Sequence, residues 1–79
     1  MAHQLNEYLS TYIEQTFELE GIPMVRTTLV GYGDPHEKAK ARAERGESCA
    51  VVTERVTWRG KNGKRTRTEI ERIEYPATV

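Results

Sequence analysis

The sequence predicts an α+β domain with the element order α-β-α-β-β: a three-stranded sheet ending in a β-hairpin, with helices on one face. Three observations predict it. Apolar and aromatic residues recur three and four apart near the N-terminus, β-branched runs follow, and an Asn62-Gly63 dipeptide separates the last two of those runs.

Leu5, Tyr8, Leu9, Tyr12, Ile13 and Phe17 carry the first pattern, which predicts an amphipathic helix over about residues 4–19 with Glu7, Glu14 and Glu18 on its polar face. Gly21 suits the left-handed residue that closes a helix, Ile22 can pack back on it, and Pro23 stops its continuation. Met24 to Tyr32 is rich in β-branched residues and reads as a strand ended by Gly33. Asp34-Pro35-His36-Glu37 has the form of a capped helix start: an N-cap acid, proline in the first turn and glutamate at the third position. That helix runs through Arg45 to Gly46. Its only apolar residues are Ala39, Ala41 and Ala43, so it can lie close on a sheet but buries little.

Cys49 to Trp58 reads as the second strand and Arg65 to Tyr75 as the third. Asn-Gly favours a two-residue type I′ turn, in which Lys61 opposes Lys64. Counting outward, Trp58 faces Arg67, Val56 faces Glu69, Glu54 faces Glu71, Val52 faces Ile73 and Ala50 faces Tyr75. Glu54 against Glu71 is the weak pair, and Ile70 and Ile73 fall on opposite faces. A bulge near Glu69 to Arg72, or a longer loop, relieves both. The tail from Pro76 to Val79 is expected to fray.

All 79 residues form one small domain. The candidate core is thin: Leu5, Leu9, Ile13, Leu19, Ile22, Val25, Leu29, Val52, Val56, Ile70, Ile73 and Tyr75. A homodimer that enlarges this core is one expected route to stability. The single cysteine excludes an internal disulfide, which points to a reducing cytoplasm. No apolar run approaches a membrane span and Met1-Ala-His-Gln-Leu has no apolar leader core, so no membrane partner is expected.

The inventory argues against metal and catalytic chemistry. His3, His36 and Cys49 are the only soft ligands and share no ligand-like spacing, so neither a metal nor a cofactor is expected. Cys49 could meet His36 in space, but a cysteine leading into Ala50-Val51-Val52 reads as a small buried hydrophobe. The glutamates fall where solvated charges fall. Gly31-Tyr-Gly-Asp-Pro lacks both the third glycine of a dinucleotide fingerprint and the Gly-Lys-Ser/Thr of a P-loop, and reads as a turn before a capped helix. No catalytic residue is assigned, and the chain is not expected to be an enzyme.

One charged feature stands out. The formal net charge is zero, yet Arg55, Arg59, Lys61, Lys64, Arg65 and Arg67 share a thirteen-residue stretch with Trp58 and no acid. Residues 1–24 carry four glutamates and neither lysine nor arginine. The acidic first helix and the basic hairpin could face opposite sides, or pair across a dimer. A two-stranded basic ribbon can neutralise phosphates, and Trp58 can stack on a base or on nearby guanidinium groups. Lysine and arginine also guard sheet edges, and a pI near 6.7 is low for a nucleic-acid binder. Two partners therefore stand: nucleic acid, slightly preferred, or an acidic protein surface. In the second version the chain is an inhibitor or adaptor of the kind carried by phages or mobile elements, blocking a partner's nucleic-acid groove.

Overall fold

The computed structural model describes residues 4–78. Four strands and one helix follow in the order β1 (Leu5–Leu19), β2 (Ile22–Leu29), α1 (Pro35–Glu44), β3 (Cys49–Arg59) and β4 (Thr66–Tyr75). The strands form one antiparallel sheet in the order β2-β1-β3-β4. The fold is thus β-β-α-β-β, and the expected three-stranded sheet with a helix over residues 4–19 is corrected.

The physical reason lies in the spacing. Leu5, Leu9, Ile13 and Phe17 are four apart, and four is an even number, so these residues also share one face of a strand. Tyr8 and Tyr12 share the other face. A three-residue step, which would join the two sets on a helix, separates them on a strand. β1 also contains Thr11, Ile13 and Thr16 with three aromatic residues, a composition suited to a pleated surface. Glu20 and Gly21 both have positive φ, at 52° and 80°. With Leu19 paired to Ile22 they form a two-residue hairpin turn of the I′ kind. Gly21 closes a hairpin, not a helix.

The helix begins and ends as its local sequence dictates. The Asp34 carboxylate accepts the His36 backbone N–H at 2.9 Å, and proline occupies the first turn. At the C-terminus Glu47 N–H donates to Arg42 O and Gly46 N–H to Ala43 O, both at 3.0 Å, with Gly46 at φ 91°. This is a Schellman closure. The tail is tied down instead of frayed: Thr78 N–H donates to Ala43 O and Ala77 N–H to the Ser48 hydroxyl. His3 and Val79 lie outside the described residues.

α1 crosses one face of the sheet and packs Ala39 on Ile13, Cys49 and Val51, with Val30 and Tyr75 at the margin. The opposite face has no second layer. There Val52 lies between Tyr12 and Arg72 in register, and Val56 between Tyr8 and Arg67. Both valines are fully buried beneath these long neighbours. The core is smaller than expected. Ile13, Val52 and Val56 belong to it, but Leu5, Leu9, Leu19, Ile22, Val25, Leu29, Ile70 and Ile73 are exposed. Ala39, Ala43, Cys49, Ala50 and Val51 take their place. A single sheet with one ten-residue helix has too little second layer to cover every apolar side chain.

Candidate binding site at the hairpin tip

The β3–β4 register differs from the turn-based expectation. Thr57 pairs with Thr66, Val56 with Arg67 and Glu54 with Glu69 near the tip, while Val51 pairs with Ile73 and Cys49 with Tyr75 at the base. The shift between the two sets makes Ile70 the extra residue of a β-bulge. The loop is also longer than two residues. Gly60, at φ 67°, takes the left-handed conformation that the I′ turn would have placed at Asn62 and Gly63. Gly63 is required for a different reason: a Cβ there would overlap the Arg59 backbone.

This geometry sorts the predicted contact residues into groups. Arg55 lies on the helix side of the sheet, 3.7 Å from Glu7. Arg67 lies on the open side, 3.4 Å from Glu54. Arg59 pairs in register with Leu5 at the end of β3. Lys61, Lys64 and Arg65 occupy the loop, are exposed, and form no ion pair among the described residues. The expected ribbon of seven joint contacts is therefore a four-cation tip, Arg59 to Arg65, flanked by two strand arginines that already have acidic neighbours.

Trp58 is half-buried and faces Asn6 across β1, not Arg67. The Arg65 guanidinium stands over the indole at 4.3 Å, and Tyr8 meets the ring edge-on with centroids 5.6 Å apart. Arg65 also donates to Gly63 O at 2.8 Å. One side chain thereby ties the loop backbone to the sheet and presents Lys61 and Lys64 on a defined turn. Tyr8 is not among the expected contact residues, because the helix expected over residues 4–19 does not pair with the hairpin. Its four-residue spacing from Tyr12 fits a helix face as well as a strand face, and pairing with β3 decides between them.

Arg72 was also missed, since it lies outside the basic stretch. It spans β3 to reach Glu14 of β1 through two hydrogen bonds of 2.8 and 3.2 Å, and it binds Glu69 at 2.9 Å. This hydrogen bonding holds the Glu14 carboxyl below its ordinary pKa and raises that of Arg72. On the same face, Tyr8, Ser10, Tyr12, Leu29, Glu54 and Arg67 help to line an open groove of about 460 Å³.

Cys49 and His36 are separately engaged. The buried Cys49 Sγ donates to Ala39 O at 3.2 Å, and burial pushes its thiol pKa up. His36 Nδ1 hydrogen-bonds the Tyr75 hydroxyl at 2.8 Å. Among the described residues no cluster of three His, Cys, Asp or Glu could hold a metal, and no helix is long and apolar enough to cross a membrane. No protein-family model, curated protein or solved structure matches the chain.

Proposed function

We propose that this chain is a non-enzymatic binding module that acts by stoichiometric contact, with the β3–β4 tip holding nucleic-acid phosphates. One observation carries the reading: the acid-free tip presents Lys61 and Lys64, exposed and outside every ion pair among the described residues, on a loop braced by Arg65 and Trp58. Arg59, Lys61, Lys64 and Arg65 are the phosphate contacts. Trp58 holds Arg65 in place, and its ring face opens to a base when Arg65 turns to a phosphate. Arg55 and Arg67 add long-range attraction, because exposed ion pairs such as theirs contribute little and exchange readily.

Binding of labelled single- and double-stranded oligonucleotides over a salt series tests this. Four phosphate contacts give a log–log slope of about −3 to −4 on duplex DNA, and Lys61→Gln with Lys64→Gln reduces its magnitude by about 2. An unchanged slope in that variant would sink the phosphate role.

A second reading, contact with an acidic protein surface by an inhibitor or adaptor, draws support from Arg65 lying on the indole face. A capped ring is a poor stacking platform but a good rigid anchor in a protein interface. This reading gains if a partner survives nuclease treatment while oligonucleotides fail to bind. A homodimer is a separate proposal and concerns the opposite end of the molecule.

A further inference from the structure

We propose that a second copy of this chain covers the apolar face of the β1–β2 hairpin, arm packed on arm across a two-fold axis. β3 ends its pairing with β1 at Gln15–Cys49, but β1 and β2 continue together from Thr16–Val25 to Leu19–Ile22. These residues form a two-stranded arm beyond the body of the sheet. Phe17 pairs with Met24 and Leu19 with Ile22, which puts all four on the helix side. They are 37, 40, 57 and 60% exposed in the order Phe17, Met24, Leu19, Ile22. α1 touches β1, β3 and β4 but not β2, so the helix layer stops short and leaves a step beside the arm. An apolar two-stranded ribbon with nothing behind it is marginal in water.

Charge points to a second copy as the occupant, and the chain has surface to spare. The chain exposes 6156 Å². A compact protein of 9.1 kDa exposes about 4,900 Å². This excess of about 1,250 Å² is spread over the whole elongated chain, and the four exposed apolar side chains of the arm are one part of it. The arm is also complementary to itself when the two copies run antiparallel. Leu19 and Ile22 of one copy then cover Phe17 and Met24 of the other, and the contact repeats through the axis. The same arrangement sets the Glu20 turn over the Gln15–Arg26 pair of the second copy. Arg26 donates to Gln15 Oε1 at 2.9 Å on that face, and neither Arg26 nor Glu20 has an ion-pair partner among the described residues. Both basic tips stay outside the interface, so the dimer is independent of what the tip binds.

Sedimentation equilibrium from micromolar to millimolar concentration tests the proposal on the full chain. The wild-type chain should dimerise, and Leu19→Glu with Ile22→Glu should give a monomer with an unchanged circular dichroism spectrum. Glu20→Arg and Arg26→Glu should each weaken the dimer by roughly tenfold, and the two together should restore it. A monomer throughout the range would overturn the proposal, as would a dimer indifferent to the double glutamate change. If that variant fails to fold, the charge reversals decide: loss without reciprocal rescue contradicts the arm-on-arm contact.

Discussion

Arg72 joins more of the sheet than any other side chain described. From β4 it reaches Glu14 on β1 and Glu69 on its own strand, passing over the row that holds the buried Val52. Its two-pronged contact with Glu14 favours the carboxylate, so the Glu14 pKa lies lower in the folded chain than in the unfolded one. The sign follows: this stabilisation is present at neutral pH and is lost as pH falls through the ordinary carboxylate range and below. Arg72→Ala should therefore cost about 1 kcal/mol near neutrality, a figure limited by partial exposure. Urea unfolding should show the difference shrinking by about pH 2 to the part that comes from Arg72 covering Val52. An equal loss at both pH values would mean that Arg72 acts by packing alone. The charge run from Arg55 to Arg67 is plain in the sequence because like charges without acids need no fold to be noticed. Which of those cations already have acidic neighbours is not plain, since Glu7 and Glu54 approach Arg55 and Arg67 only once β1, β3 and β4 lie side by side.

β1 shows where pattern reading fails. Its four-residue spacing fits a helix face and a strand face equally, and pairing with β2 and β3 decides between them. Thr11 gives a direct check. Its hydroxyl lies 3.3 Å from that of Thr53 on β3. In a helix Thr11→Ala would stabilise the chain by propensity; in this sheet it should destabilise it by about 0.5–1 kcal/mol. Chemical denaturation measures the sign, and a gain in stability would count against β1. The α1 start was legible because Asp34, Pro35 and the helix they open are neighbours in the chain. The β3–β4 turn was not, although its sequence is among the most favourable for a tight hairpin. The strict two-residue pairing is replaced, but by the two departures that the Glu54–Glu71 conflict called for: a longer loop and a bulge within Glu69 to Arg72, at Ile70. Glu54 still faces a glutamate, now Glu69, but Arg67 and Arg72 hydrogen-bond the two carboxylates.

The chain is drawn out, 57 Å long and 18 Å thick, with a radius of gyration of 15.8 Å. A compact chain of this length has a radius near 12 Å. Elongation separates the two chemistries: the basic tip lies at one end of the sheet and the apolar arm, bearing Glu18 and Glu20, at the other. The sequence asymmetry between an acidic start and a basic hairpin is carried into space only in part: Glu18 and Glu20 lie at the far end, but β1 runs beside β3 and brings Glu7 to Arg55. The exposed apolar side chains could not be foreseen, because the sequence assigns them to a core that this sheet lacks the second layer to build. If the tip meets nucleic acid as we propose, Trp58, as the only tryptophan, reports on it directly. Its fluorescence should be titrated with mixed single- and double-stranded nucleic acid at low and moderate salt. Binding at the tip predicts a change in emission as Arg65 leaves the indole, weakening steeply as salt rises. Emission indifferent to nucleic acid even at low salt would contradict the claim and direct the search to protein partners.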